Sequence, residues 1–459
     1  MTDTNVDLIV LGGGTAGYAA AIRAAELGSK VVLIEKDKLG GTCLHRGCIP
    51  TKTLLHSAEV ADEAQHAEAV GLKVAYQGVD IERLHNYKDS IVAKHHKGLI
   101  GIISSHGITV VEGEGRFVGP TTIEVGTDRY IGTNVVLATG SYSRSLPGLD
   151  IAGRVITSEQ ALGLQWIPEK AIVLGGGVIG VEFASIWASF GTEVTIVEAL
   201  PSLVPAEDPW VAKQLERAFK KRGIKFRTGV KFSGVTQDDS GVTVSLETGD
   251  ELKADLLLVA VGRGPSTQGT GFEEAGVTME RGFVITDERC RTNLPNVFAI
   301  GDIVPGLQLA HRGFQQGIFV AEDIAGLNPV VIPEKNIPRI TYCDPQVASI
   351  GLTEDRAAEE HGGKDNIETY TYNLAGNGKS DILRTAGGIK AVRVKDGPIV
   401  GVHMVGGRVG ELLGEAQLIV GWEALPEDVA PMLHAHPTQY EALGETMLAM
   451  AGKPLHAHA

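Results

Sequence analysis

The residues best suited to chemistry are two cysteines, Cys43 and Cys48, in the glycine-rich stretch 40–52. A disulfide between them would close a very short loop, and such a crosslink adds little stability to a fold. Lys52 follows four residues after Cys48 and would share its face of a helix, where a cation favours thiolate over thiol. Two thiols beside a cation suggest electron transfer through a disulfide.

Spacing alone leaves two other interpretations of these cysteines open. They could be buried core thiols, or they could be half of a metal site. A zinc site usually needs four Cys or His ligands in closely spaced pairs, and no second pair follows, so we predict no metal. Cys290 and Cys343 are expected to be inert core thiols, because four cysteines in 459 residues do not form a disulfide framework.

A nucleotide-binding unit precedes the cysteines. A buried strand leads into Gly12-x-Gly14-x-x-Gly17, a helix follows, and a second strand ends on Glu35. Glycines at these positions allow a tight turn and a close approach of backbone N–H groups to a pyrophosphate, whose charge the helix N-terminus attracts. The carboxylate of Glu35 can hold a ribose diol.

The same unit recurs with every landmark shifted by 163 residues, so that Gly12 corresponds to Gly175 and Glu35 to Glu198. The other glycines of the second unit are Gly177 and Gly180. This repeat predicts two nucleotide-binding domains of one design. Because a carboxylate repels a 2′-phosphate, Glu198 predicts NAD rather than NADP.

Other candidate residues lie at the ends of predicted elements. A strand ends at Gly140-Ser141, and another delivers Asp302 at its carboxyl end, where ligands sit in open α/β sheets. Glu182 lies early on the helix of the second unit. It either faces a cofactor or is simply an acidic residue favoured near a helix N-terminus.

A histidine and a carboxylate stand near the end of the chain. Pro437 suits the first position of a helix, which would put His436 at the helix N-terminus and Glu441 about one turn along. A histidine oriented by a carboxylate is a general-base arrangement. Histidines near a terminus can also be incidental, and the sequence leaves both interpretations open.

The predicted fold class is α/β, with two Rossmann-like dinucleotide-binding domains and a C-terminal α+β domain. We expect the first nucleotide-binding domain over 1–147 and the second over 148–264. Residues 265–334 are expected to complete the first domain. The last domain is expected over 335–459, after a proline-containing linker.

Charge and hydropathy exclude several functions. The net charge of −15 opposes binding to nucleic acid or to an anionic membrane surface. No apolar run approaches the ~20 residues that span a bilayer, and the start of the chain has no basic region typical of a targeting peptide. The expected location is therefore cytoplasmic.

From Val6 to Glu445 the chain resembles the flavoprotein disulfide reductases, and within them the dihydrolipoamide dehydrogenase family. The resemblance rests on Gly-Gly-Thr-Cys-x-x-x-Gly-Cys-Ile-Pro-x-Lys at residues 40–52 and on His-x-His-Pro-Thr-x-x-Glu at residues 434–441. The family often has Asn-Val or Glu-Val where this chain has His45-Arg46, a difference that could alter the disulfide potential or substrate approach.

The resemblance implies cofactors and the residues that bind them. Those expected to contact FAD are Gly12, Gly14, Gly17, Glu35, Lys52, Gly115, Gly140, Ser141, Asp302 and Ala310. Those expected to contact NAD are Gly175, Gly177, Gly180, Glu182, Glu198, Val230 and Gly262.

The resemblance also implies a mechanism. Cys43 exchanges with dihydrolipoamide, and Cys48 passes electrons to FAD and then to NAD⁺, while Lys52, paired with Glu182, stabilises negative charge. In a homodimer, His436 acts as the base for the other subunit's disulfide, and Glu441 orients it. The implied partners are lipoyl domains and the peripheral-subunit-binding domain of 2-oxoacid dehydrogenase complexes. Two alternatives remain, a reductase of another small disulfide such as a mycothiol-type one, and a mainly structural flavoprotein subunit.

Overall fold

Residues 3–456 are described by a computed structural model of the chain. The first part builds a largely parallel sheet with strand order β3-β2-β1-β6-β5-β4. Its strands are β1 Asp3–Leu11, β2 Val31–Glu35, β3 Thr109–Glu112, β4 Gly115–Gly119, β5 Thr122–Val125 and β6 Asp128–Leu137, followed by a short β7 Ser141–Ser143. Its helices are α1 Thr15–Glu26, α2 Gly41–Arg46, α3 Cys48–Gln65 and α4 Ile81–Ser105.

The second part builds a five-stranded parallel sheet of order β11-β10-β9-β15-β8 and a three-stranded antiparallel sheet. Its strands are β8 Val155–Thr157, β9 Lys170–Leu174, β10 Glu193–Glu198, β11 Lys225–Thr228, β12 Phe232–Gln237, β13 Val242–Leu246, β14 Glu251–Ala254, β15 Leu256–Val259 and β16 Arg263–Pro265. Its helices are α5 Ser158–Ala161, α6 Val178–Ser189 and α7 Pro209–Lys221. Helix α6 is buried on most of its surface, because it lies between its own sheet and α3.

The chain then returns to the first sheet. Strand β19 pairs in parallel with β6, with Val297 opposite Val135, and helix α8 packs on α1. A Cβ at Gly317 would lie 2.4 Å from the carbonyl oxygen of Ala16, so glycine permits this close helix contact. The elements are β17 Met279–Glu280, β18 Phe283–Val284, β19 Val297–Ala299 and α8 Ala310–Ile324.

The last part is an antiparallel sheet of order β20-β21-β24-β23-β22 covered by helices. Its strands are β20 Arg339–Thr341, β21 Gln346–Gly351, β22 Ile367–Asn373, β23 Gly388–Val394 and β24 Ile399–Gly406. Its helices are α9 Glu354–Glu360, α10 Gly378–Ile382, α11 Val409–Gly421, α12 Pro426–Val429 and α13 Glu441–Met450. The predicted α/β class with an α+β end is confirmed. The boundaries between domains stay predictions.

Two local predictions are wrong. The helix near the C-terminus begins at Glu441 and not at Pro437, because residues 436–440 form bends and a turn before it. The pattern of residues 339–350 predicts one strand, but the structure has two, because the chain leaves the sheet at residues 342–345 to contact α6. Within residues 3–456, no helix has the length and apolar character needed to cross a membrane.

Candidate active site

The two cysteines lie at a break between short helices. Cys43 is in α2, and Cys48 is the first residue of α3, with Gly47 preceding it. The stretch begins at Gly40 and Gly41, whose φ angles of +103° and +56° favour glycine. A Cβ at Gly41 would lie 2.8 Å from the Cα of Gly14. The backbone therefore brings the cysteine stretch against the first glycine loop.

The two thiols have opposite ionisation tendencies. The hydrogen bond with Cys43, opposed by burial and aided by the Lys52 charge, lowers the pKa of Cys48 to about 7. The same hydrogen bond, together with burial, raises the pKa of Cys43. Both are free thiols in this structure, the form that reduction of a Cys43–Cys48 disulfide would produce. At neutral pH the pair therefore holds a thiol at Cys43 and a readily formed thiolate at Cys48.

A partly buried ion pair, Lys52 with Glu182, lies near Cys48. The Lys52 ammonium donates to both carboxylate oxygens of Glu182, at 3.0 and 2.8 Å. Burial is the largest single influence on Lys52 and lowers its pKa, but the charge and hydrogen bond of Glu182 together with nearby Cys48 and Tyr342 outweigh it, so the pKa of Lys52 is raised. This pairing joins α3 to α6, which pack together. The structure thus places four of the predicted residues in one region.

The two glycine loops have the same geometry. The N–H of Gly13 donates to Glu35 at 2.6 Å, and the N–H of Gly176 donates to Glu198 at 2.6 Å. The same carboxylates accept from residues two positions further on, Asp37 and Leu200. The 163-residue sequence repeat is therefore also a repeat of hydrogen bonds. It fixes each acidic side chain next to its loop.

Both loops fit a dinucleotide phosphate. A Cβ at Gly12 would lie 2.3 Å from the Ala138 carbonyl oxygen, and one at Gly17 would lie 1.8 Å from the Gly12 carbonyl oxygen. The middle glycine, Gly14, faces open space instead. No side chain caps α1 or α6 within residues 3–456, so the first-turn N–H groups are available to an anion. In the second loop Gly175, Gly177 and Gly180 repeat this arrangement.

A polar cluster lies at the carboxyl end of the first sheet. The Ser141 hydroxyl donates to Asp302 at 2.5 Å, and Arg263 donates to the hydroxyl and carbonyl oxygens of Ser141, both at 2.7 Å. Gly140 and Gly262 have left-handed φ angles and open space where a Cβ would lie. The remaining predicted cofactor contacts are Gly115 at the start of β4, Val230 just after β11, and Ala310 as the first residue of α8.

The predicted base is not at the cysteines. His436 is exposed, and its Nδ1 lies 2.9 Å from Glu441 Oε1. The other carboxylate oxygen of Glu441 accepts from the N–H of Thr438 at 2.6 Å. Among residues 3–456, no hydrogen bond joins His436 to Cys43 or Cys48. Glu441 therefore fixes the Nδ1 side of the ring and leaves Nε2 directed at the surface.

Sequence reasoning missed two residues of the site. Arg263 follows Gly262 directly, and its position after a strand end was the one available signal. Tyr342 contacts both Glu182 and Lys52, yet it is about 160 positions from the first and 290 from the second, and no local pattern marks it. Cys290 and Cys343 are buried, as expected, and burial raises the pKa of both thiols.

The fold and site define a thiol enzyme with two dinucleotide sites. The pyridine nucleotide-disulphide oxidoreductase family matches residues 6–317, and the dimerisation domain of that family matches residues 337–447. The chain belongs to this family. Its members use FAD and NAD, so the predicted cofactors are confirmed. The dimerisation domain supports a homodimer.

Individual proteins agree with this assignment. A dihydrolipoyl dehydrogenase of Bacillus subtilis is 39% identical over 99% of both chains. The mitochondrial dihydrolipoyl dehydrogenase of Pisum sativum is 38% identical over 98% of this chain and 92% of its own. The crystal structure of LpdA from Mycobacterium tuberculosis superposes with a TM-score of 0.90 at 25% identity, covering 97% of this chain and 99% of that chain.

Proposed function

We infer that this protein oxidises dihydrolipoamide to lipoamide and transfers the electrons through FAD to NAD⁺. The observation that carries this inference is the cluster of Cys43, Cys48, Lys52 and Glu182 next to the first of two dinucleotide loops. Full-length similarity to dihydrolipoyl dehydrogenases supports the same substrate. A reductase of another small disulfide and a mainly structural subunit are not better supported.

Each residue of the cluster has a distinct role in this proposal. A substrate thiolate attacks the Cys43 sulfur, the Cys43–Cys48 bond breaks, and Cys48 leaves as a thiolate, which its low pKa favours. The second substrate thiol then displaces Cys43, so the substrate becomes a disulfide and the cysteine pair a dithiol. Lys52, held by Glu182, stabilises the negative charge on Cys48. When bound, FAD would supply the acceptor for this electron pair, and NAD⁺ would supply the acceptor for a hydride.

The base in this proposal comes from the partner subunit. Exposed His436 has its Nε2 free to accept a proton from a substrate thiol, and Glu441 holds Nδ1. The exposed Leu433 and Met432 precede it in the chain. Such apolar exposure beside a histidine is consistent with burial against a second copy of the chain.

The biological setting is also a proposal. We propose that lipoyl domains deliver the dithiol, and that the peripheral-subunit-binding domain of a 2-oxoacid dehydrogenase complex holds the dimer. We further propose a cytoplasmic location. Co-purification with such a complex from cell extract, and its loss on removal of the binding domain, would test the partner. Cell fractionation would test the location.

A turnover assay tests the activity directly. Purified protein with bound FAD should reduce NAD⁺ when given dihydrolipoamide, and Cys43→Ser should abolish this reaction while retaining FAD. The oxidised forms of lipoamide, glutathione and a mycothiol analogue should be compared with NADH as donor. If another disulfide is reduced well and lipoamide is not, the substrate assignment is wrong. If none is turned over, the structural alternative gains support.

A further inference from the structure

Tyr342 contacts both members of the Lys52–Glu182 pair. Its backbone N–H donates to Glu182 Oε1 at 2.9 Å, and the Lys52 ammonium lies 4.8 Å from the centre of its ring. Glu182 is 2% exposed. The tyrosine therefore closes one side of a site whose other sides are formed by α3 and α6.

We infer that Tyr342 is a positioning residue that holds the Lys52 ammonium in place for its action on Cys48. The inference deepens the proposed function and rests on it, because Cys48 is there the thiol that leaves on substrate attack. Tyr342 itself touches neither cysteine through a hydrogen bond in the part of the chain described. Its effect passes through Lys52.

The backbone around Tyr342 is fixed on α6 at two points. Besides the bond from Tyr342 to Glu182, the N–H of Asp344 donates to the Ser185 hydroxyl at 3.0 Å. Arg222 donates to the Asp344 carbonyl oxygen at 2.8 Å. Glu182 and Ser185 are three residues apart and share one face of the helix. The ring is therefore presented to Lys52 by a segment that cannot shift without breaking these bonds.

The Tyr342 ring attracts the Lys52 ammonium from a side that the Glu182 carboxylate does not occupy. An ammonium has three N–H donors, and the carboxylate of Glu182 lies on one side of it at 3.0 and 2.8 Å. The aromatic ring attracts the cation through its negative face without presenting an acceptor that would compete with Glu182. It also excludes water from that side, so the charge of Lys52 is less screened.

The position of this charge matters for Cys48. After the hydrogen bond with Cys43, the charge of Lys52 is the main influence that lowers the pKa of Cys48. Other titratable groups near the thiols are Tyr18, Arg263 and Asp302, and Glu411 faces Tyr342. The substitutions of Tyr342 replace none of these side chains. A displaced ammonium would thus leave Cys48 harder to ionise.

The test compares Tyr342→Leu with Tyr342→Phe in the FAD-bound protein reduced by two electrons. Cys48 ionisation is followed against pH by the long-wavelength absorbance of the protein, and independently by the rate of alkylation at Cys48, resolved by mass spectrometry. In Tyr342→Leu we expect the midpoint to rise by roughly half a pH unit or more. Tyr342→Phe keeps the ring and should keep the wild-type midpoint. The matched control, Tyr87→Leu, removes an exposed tyrosine of α4 and should change nothing.

A double variant and a substitute variant complete the test of Tyr342. In a Lys52→Met background, Tyr342→Leu should no longer shift the midpoint, since the ring then has no cation to hold. If Tyr342→Leu loses FAD, Tyr342→Met replaces it. An unchanged midpoint in a folded Tyr342→Leu or Tyr342→Met protein overturns the inference, as does a Tyr342→Phe shift equal to that of leucine. A protein with normal Cys48 ionisation but no dihydrolipoamide oxidation refutes the proposed function alone.

Discussion

At the scale of single residues, the surroundings of two chemically identical thiols, Cys43 and Cys48, give them different pKa values. Cys43 and Cys48 share a hydrogen bond and both feel the charge of Lys52, but Cys48 is the first residue of the long helix α3, and the hydrogen bond lowers its pKa while raising that of Cys43. A helix N-terminus and a cation both favour a thiolate. The roles proposed for the two thiols follow from this asymmetry and not from their order in the chain.

We predict that Cys48→Ser removes the long-wavelength absorbance that appears when the FAD-bound protein takes up two electrons. The serine hydroxyl does not ionise near neutral pH and cannot supply the thiolate. A spectral titration of the wild-type protein and of Cys48→Ser with dithionite measures this. Cys43→Ser is the matched control: it has no disulfide to reduce, so its Cys48 thiolate should give the absorbance beside oxidised FAD before any reductant is added. Persistence of the absorbance in Cys48→Ser would mean that the two cysteines have exchanged roles.

We expect one residue, Glu198, to determine whether the protein prefers NAD⁺ or NADP⁺. Glu198 is 9% exposed and accepts from the N–H groups of Gly176 and Leu200, so its charge is held next to the second glycine loop. A 2′-phosphate would meet a like charge there, which costs several kcal/mol.

We predict a preference for NAD⁺ over NADP⁺ of on the order of 100-fold or more in kcat/KM. Glu198→Gln keeps an acceptor oxygen but loses the charge. It should reduce the ratio of kcat/KM for NAD⁺ to that for NADP⁺, mainly by raising kcat/KM for NADP⁺. Steady-state kinetics with both cofactors measures the ratio. Comparable values for the wild-type protein would contradict this use of Glu198.

At the scale of elements, helix α7 shows how a cap can also join domains. Asp208 accepts from the N–H of Trp210 at 2.9 Å and so caps α7, where Pro209 is the first residue. The same carboxylate accepts from the N–H of Glu354 at 3.1 Å and from Lys390 at 3.0 and 3.1 Å. It is 0% exposed. This one side chain connects the second nucleotide-binding part to the C-terminal sheet.

We predict that Asp208→Ala lowers the free energy of unfolding by roughly 3 kcal/mol or more, because Lys390 would lose a buried partner. The matched control is Asp80→Ala, which removes an exposed cap of α4 and should cost about 1 kcal/mol. Urea unfolding followed by circular dichroism measures both. If both variants lose the same free energy of unfolding, the contacts of Asp208 with Glu354 and Lys390 add nothing to stability.

The effect of Asp208 should also depend on pH. Burial opposes its charge, but the Glu354 N–H, His403 and Lys390 outweigh burial and lower its pKa below the usual range. A carboxyl with a lowered folded-state pKa stabilises the fold above the ordinary aspartate pKa of about 4, and this stabilisation is lost as pH falls through the folded-state value. The difference in free energy of unfolding between the wild-type protein and Asp208→Ala should therefore become smaller only at acidic pH.

At the scale of the whole molecule, the site is incomplete in one chain. The thiols lie next to the first glycine loop, whereas His436 is exposed on the C-terminal part and bonded only to Glu441 among residues 3–456. The matched dimerisation domain supports a homodimer. Across a two-fold interface, each chain can place its His436 beside the Cys43 and Cys48 thiols of the other chain.

We predict that Cys48→Ser and His436→Gln chains, each inactive as homodimers, regain activity when they are dissociated, mixed and reassociated. Random pairing makes half of the dimers mixed, each with one intact site, so about a quarter of wild-type activity should return. General-base loss alone costs ~10²–10⁴ in rate, so recovery is easily measured. If mixed dimers form, by mass spectrometry of differently tagged chains, and remain inactive, the base and thiols belong to one chain.

The sequence by itself determined the repeated units, because glycine spacing and hydrophobic periodicity are local. The sequence predicts helices from about Thr15 to Leu27, over residues 48–65, from Pro209 to Arg222 and from about Ala310 to Ile324. Helices α1, α3, α7 and α8 begin and end within two residues of these bounds. The 163-residue repeat predicted two units of one design, and in both units the structure contains a hydrogen bond from a glycine N–H to the terminal glutamate. The Asp208-Pro209 pair likewise predicts a capped helix start, because the partners of a cap are the next few residues.

Only the tertiary structure decided what depends on distant contacts. Tyr342 reaches Lys52 because residues 342–345 leave the sheet to contact α6. Helix α13 begins at Glu441, after the bends at residues 436–440, and not at Pro437. Asp208 appeared to be a cap alone, yet its second partner, Lys390, is 182 positions away. Local pattern carries no information on which distant segments meet, since that choice is made by packing of the whole chain.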